Sequence, residues 1–107
     1  MTIGTVPLFP LKTVLFPGGI LPLRIFEPRY LTMVSECLRK KNEFGVLLIK
    51  EEADVRTYEI GTIAEIVDWD QGSDGLLGIS AEGGKRFQLE SAEKRTDGLY
   101  IASVQDI

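Results

Sequence analysis

The 107-residue sequence predicts a single α+β domain, mostly β, whose six or seven short strands curl into a partly closed pseudo-barrel with one main α-helix near residues 28–41. Three observations predict it. Apolar residues make up 44% and charged residues 26% of the chain, the mix of a protein that buries a core. Only one stretch repeats its apolar residues at helical spacing. The remainder divides into short runs rich in Val, Ile, Leu and Phe, punctuated by Gly, Asp and Asn. At this length a domain buries roughly two thirds of the surface its unfolded chain exposes, so one core spanning residues 1–107 is expected, with no internal boundary and no repeat.

Thr5 to Phe9 reads as the first strand, which Pro7 and Pro10 restrict to an edge or an irregular position because neither offers an N–H. Pro17-Gly18-Gly19 is a turn signal, and Ile20 to Phe26 forms the second strand. The helix starts near Pro28, whose fixed φ suits a first turn, with Glu27 before it to complement the positive end of the dipole. Tyr30, Leu31, Val34, Cys37 and Leu38 recur every three or four residues and give it one apolar face, while Arg39, Lys40 and Lys41 fall at its C-terminal end, where cations are favoured.

Strands follow over Phe44–Ile49, Gly61–Trp69, Leu76–Ala81, Phe87–Ala92 and Tyr100–Val104. The apolar positions 63 and 66–67 break strict alternation and suggest a bulge near Glu65 or Ile66. Asp70 to Gly75 and Glu82 to Gly84 read as hairpin loops, and Glu51 to Thr57 as a charged, mobile loop.

The charge and residue inventory exclude several functions. A net charge of −4 opposes a phosphate backbone, so no nucleic-acid partner is expected. No apolar run approaches the ~20 residues a membrane helix needs and no signal peptide is evident, which predicts a cytoplasmic protein without membrane attachment. Cys37 is the only cysteine and lies on the apolar helix face, so it reads as a buried structural thiol.

The chain has no histidine, the commonest general base and zinc ligand, and one thiol cannot build a metal site. None of Ser35, Ser73, Ser80, Ser91 and Ser103 lies in G-x-S-x-G and no histidine could activate one; spacing alone leaves a serine–lysine dyad open, and nothing in the sequence recommends one. Asp68 and Asp70 flank Trp69 and share a strand face, as a carboxylate pair or a cation site would require. The run through Gly72 and Asp74 reads more simply as turn chemistry and is too poor in ligands for an EF-hand. Gly83-Gly84-Lys85-Arg86 precedes a strand and not a helix, so it reads as a turn and not as a phosphate cradle. No catalytic residue, metal or cofactor is therefore expected.

The informative segment is Leu8 to Tyr30, where Phe9, Phe16, Phe26 and Tyr30 alternate with Pro and Gly. Apolar side chains on stiff, irregular backbone lose little entropy on binding. Phe9, Leu15 and Leu23 read as core; Phe26, Tyr30 and Met33, near the helix start, suit either a core or a surface role.

Val6-Pro7-Leu8-Phe9-Pro10-Leu11, then Val14-Leu15-Phe16-Pro17-Gly18-Gly19, then Leu21-Pro22-Leu23-Arg24-Ile25-Phe26-Glu27-Pro28-Arg29-Tyr30 resemble the N-terminal domain family of Lon proteases. Gly61–Ile66 is similar to that family's G-T-x-A-x-I strand and Gly83–Leu89 to its G-x-x-R-F-x-L strand, so the resemblance runs from about Thr5 to Val104. It implies a PUA-like pseudo-barrel without ATPase or Ser–Lys protease parts. It also implies a recognition module that binds unfolded or apolar protein segments, in partnership with a protease or another protein. Phe26, Arg29, Tyr30 and Met33 are the expected substrate-binding residues. The alternative is a stand-alone regulatory or adaptor domain that binds a folded partner or self-associates. RNA binding by fold analogy and a hydrolase built on the Asp68–Asp70 pair are weaker readings.

Overall fold

The computed structural model describes residues 2–40, 43–48, 60–72 and 74–107. Six strands and one helix run in the order β1 (Thr2–Leu11), β2 (Ile20–Ile25), α1 (Pro28–Lys40), β3 (Phe44–Leu48), β4 (Ile60–Gln71), β5 (Leu77–Lys94) and β6 (Tyr100–Asp106). The sheet order is β2-β5-β4-β3-β1-β6, and a further β5–β6 pairing closes β5, β4, β3, β1 and β6 into a ring, with β2 added along the first half of β5. Only β1 and β3 run parallel; the other pairings are antiparallel. This is the mostly-β pseudo-barrel with one helix that the sequence predicts.

Two expectations about strands are corrected. The strands expected over Leu76–Ala81 and Phe87–Ala92 merge into one 18-residue strand that starts at Leu77, and Glu82 to Gly84 is not a hairpin loop. The glycines serve close approach instead. The turn at Pro17-Gly18 crosses β5 there, with Gly18 N donating to Gly83 O at 2.7 Å and Gly83 N to Gly19 O at 2.8 Å. A Cβ on Gly83 would lie 2.3 Å from the Phe16 carbonyl oxygen, so only glycine lets the segments meet. β1 also extends well beyond Thr5–Phe9. Its residues up to Pro7 pair with β6 and those from Leu8 with β3, so neither proline has to serve a neighbour on both sides.

The expected hairpin after Asp70 is present, with Gly72 N donating to Leu76 O at 2.9 Å and Gly75 in the left-handed region at φ 82°. β4 carries register shifts between Thr62 and Ala64 and between Ile66 and Asp68, on either side of the predicted bulge. The second leaves Val67 unpaired and rotates the strand end. The segment expected to be a mobile loop, residues 51–57, lies outside the described residues.

Two apolar clusters hold the fold. Val6, Leu8, Leu47, Ile63, Phe87, Leu89, Ala102 and Val104 form one of them, with Phe87 completely buried. In the second, α1 lays Tyr30, Met33, Val34 and Cys37 on a surface that includes Ile25, Phe44, Val46, Ile79 and Leu99, with Phe9 and Leu23 packed against its margin. The buried stripe at i, i+3, i+4 and i+7 is centred on Met33 and Val34; Leu31 and Leu38, each 39% exposed, flank it. Burial pushes the Cys37 thiol up to about 11, with the neighbouring Glu36 carboxylate adding to the effect.

Candidate functional site

The junction between β2 and α1 is built by a short, stiff link. Glu27 closes the helix start through its carbonyl, which accepts from both Tyr30 N and Leu31 N at 3.0 Å. The preceding residue, Phe26, can join neither strand nor helix and stands 67% exposed. Arg29 reaches back over this corner: its guanidinium donates to Gly98 O at 3.2 Å, pairs with Glu27 at 3.3 Å and lies 4.8 Å from the centre of the Tyr30 ring. The Tyr30 ring packs against Phe9 at 4.4 Å, and Phe9 against Phe44 at 6.3 Å. Burial raises the Tyr30 hydroxyl pKa, while the Arg29 charge pulls the other way.

Of the four residues singled out from sequence, Phe26 and Arg29 therefore face solvent at least in part, Tyr30 is 7% exposed and Met33 is fully enclosed. The fold brings all four to one corner but gives them two kinds of role, with Phe26 and Arg29 forming surface and Tyr30 and Met33 the packing beneath. Helical periodicity places Met33 with Tyr30 and Val34, which is the signal that marks it as core.

A concavity lies elsewhere, across β2, β5 and β4, a groove of about 440 Å³. Pro22 and Arg24 of β2 line one side and Asp68 and Asp70 of β4 the other; Gly78 and Ser80 of β5 form its floor. The shared face of Asp68 and Asp70 was readable from alternation, whereas the facing residues depend on strand register. Asp68 accepts a hydrogen bond from Trp69 N at 2.9 Å, turn-like capping that leaves both carboxylates exposed. Among the described residues no three His, Cys, Asp or Glu side chains converge as a metal ion would need. No described helix is long and apolar enough to cross a membrane.

The fold is a mostly β pseudo-barrel with one helix packed on it. The chain belongs to the substrate-binding domain family of the ATP-dependent protease La (Lon), whose family model matches residues 5–107. It is 36% identical over 91 residues to a Lon protease of Parabacteroides distasonis, covering 79% of this chain and 11% of that protein. It is 31% identical over 104 residues to protein cereblon of Gallus gallus, covering 94% of this chain and 23% of that protein. The chain thus spans less than a quarter of the length of these curated relatives. Among solved structures, the Lon N-terminal domain protein from Xanthomonas campestris superposes with a TM-score of 0.88 at 39% identity, covering 97% of this chain and 60% of that one. The N-terminal domain of Mycobacterium avium complex Lon protease shares the fold, with a TM-score of 0.76 at 16% identity over 96% of this chain and 54% of that one.

Proposed function

We propose that this domain is a non-catalytic recognition module that holds exposed apolar stretches of unfolded or tagged protein chains, delivering them to a protease in the cytoplasm. The observation that carries the proposal is Phe26, a large aromatic 67% exposed at a corner that is otherwise rigidly tied. An exposed ring on stiff backbone gains contact area on binding while losing little conformational freedom. Phe26 and the Arg29 stem make the contacts; Tyr30 and Met33 hold the corner in shape. The family's description as a substrate-binding domain supports the reading.

The test is an NMR titration of labelled protein with a permanently unfolded, apolar-rich chain. Amide shifts are expected to cluster over residues 26–33. Phe26→Ala is expected to weaken binding about fivefold, the effect of losing one interfacial anchor worth about 1 kcal/mol, with the thermal midpoint unchanged. An absence of shifts at high ligand concentration overturns the proposal.

The similarity to cereblon, a relative not named as a protease, favours the second reading, an adaptor that binds a folded partner. It predicts a stoichiometric complex and indifference to generic unfolded chains.

A further inference from the structure

We infer that the groove across β2, β5 and β4 is a second docking surface, and that its occupant is a protein segment carrying lysine or arginine. The inference shares with the function proposed above only that the ligand is a protein segment; the surface is a different face of the sheet.

The strand register sets the face out in three rows. Ile20, Glu82 and Glu65 stand side by side, then Pro22, Ser80 and Asp68, then Arg24, Gly78 and Asp70. The middle strand contributes the small residues Gly78 and Ser80 to the floor, and a Cβ on Gly78 would lie 3.0 Å from Asp70 Oδ1, so glycine there leaves the Asp70 carboxylate room over the strand. The result is a channel open to solvent, walled by carboxylates on the β4 side.

The charges on this face do not satisfy one another. Glu65 lies directly opposite Glu82, a like-charge cross-strand pair that disfavours the sheet. Among the described residues neither they nor Asp68 and Asp70 form an ion pair, and the one cation of the face, Arg24, pairs with Asp74 in the turn beyond. A protein that needed this face only for stability would gain by placing a lysine in the middle row. A cationic side chain lying over Gly78 and Ser80 would meet Asp68 and Asp70 at once and relieve the field of Glu65 and Glu82, while the Pro22 ring and the Ile20 side chain, 57% exposed, offer apolar contact to its neighbours. Complementarity of shape and charge thus selects a basic residue set among apolar ones.

Trp69 is the only tryptophan and sits on the strand between the two aspartates, level with Ile79 of the core face, so its fluorescence is a neighbouring reporter and the amides of 68–70 and 78–80 are the direct one. The experiment titrates the full chain with two disordered peptides of one apolar composition, one bearing three arginines and the other glutamines in their place. The arginine peptide is expected to change Trp69 emission saturably and to shift amides 68–70 and 78–80, with binding that weakens as salt is raised. The glutamine peptide leaves these signals unmoved.

Neutralising the wall as Asp68→Asn with Asp70→Asn is expected to weaken the arginine peptide about tenfold, the loss of two charge-assisted contacts. Both side chains are exposed, so the fold is kept. Ser80→Lys, which supplies a resident cation opposite Asp68, is expected to abolish the emission change, whereas Phe26→Ala leaves it intact. Equal responses to the two peptides, or an arginine response that survives both groove variants, overturns the inference. If shifts then remain at residues 26–33, the apolar-segment reading stands alone.

Discussion

At the scale of single residues, two glycines carry steric demands that no neighbour can relax. A Cβ on Gly83 would meet backbone, the Phe16 carbonyl oxygen, and one on Gly61 would meet both the Phe87 ring at 2.4 Å and the Val46 carbonyl oxygen at 2.6 Å. Backbone cannot swing aside as a side chain can, so Gly83→Ala and Gly61→Ala are each expected to destabilise the domain by about 2 kcal/mol or more in urea denaturation. Gly84→Ala is the control, since its nearest atom would be the Ile63 carbonyl oxygen at 3.5 Å, an ordinary contact. Cys37 makes a different demand. Its thiol is held protonated to about pH 11, so the folded chain binds a proton that the unfolded chain loses near the ordinary thiol value of 9.0. Stability from this group is complete below that value and is lost as pH rises from there towards the folded value. Alkylation of Cys37 at pH 8 is expected to be far slower in the native protein than in urea.

Between elements, Arg95 is a polar join to the helix. From the turn after β5 it donates to both carboxylate oxygens of Glu36 on α1 at 3.2 Å and pairs with Asp97 at 2.6 Å. Asp97 also accepts from Leu99 N at 3.1 Å, which seats the fully buried Leu99 beneath the helix. The hydrogen bond from Arg95 holds the Asp97 carboxyl below its usual range. A depressed carboxylate stabilises the fold at neutral pH and ceases to as pH falls through its folded value. Asp97→Asn is therefore expected to lower the urea midpoint at pH 7 and to flatten its fall as pH drops below the ordinary carboxyl value of 3.8. Arg95→Ala, which releases both carboxylates, is expected to lower Tm by a few degrees without changing the far-ultraviolet spectrum.

How much of this was legible in the sequence depends on whether the signal was local. The helix, the Pro17-Gly18 turn and most strand positions follow from spacing and punctuation, because those signals act within a few residues. The continuity of β5 does not. Gly83-Gly84 looks the same in a hairpin and at a crossing, and only the arrival of Gly18 and Gly19 from 64 or so positions away in sequence decides between them. The candidate corner was legible as a cluster around the helix start, while the division between Phe26 as surface and Met33 as core required the packing partners. The groove was half legible: Asp68 and Asp70 announce one wall, and the other wall and floor come from strands whose register no short-range pattern encodes.

At the scale of the whole molecule, β5 is the element on which the rest depends, since it pairs with β2, β4 and β6 in turn. Phe87 lies at the middle of it, with no exposed surface, inside the ring of strands. Phe87→Ala is expected to cost about 3–5 kcal/mol, the range for emptying a buried aromatic site, and to lower unfolding midpoints measured by helix and sheet probes together.

The ring itself closes through β1 and β6, joining Thr2 to Gln105 and Pro7 to Ile101 across nearly the full sequence. The last strand of the fold is thus the one that completes the first. Until Tyr100–Asp106 has left the ribosome, β1 lacks the neighbour that its first six residues need, and the loop that must close to supply it spans nearly the whole fold. Such non-local pairing places folding in the slow range for a domain of this size, milliseconds to seconds. A nascent form of this domain would spend that interval with its own apolar strands uncovered, the same condition it is proposed to recognise in others.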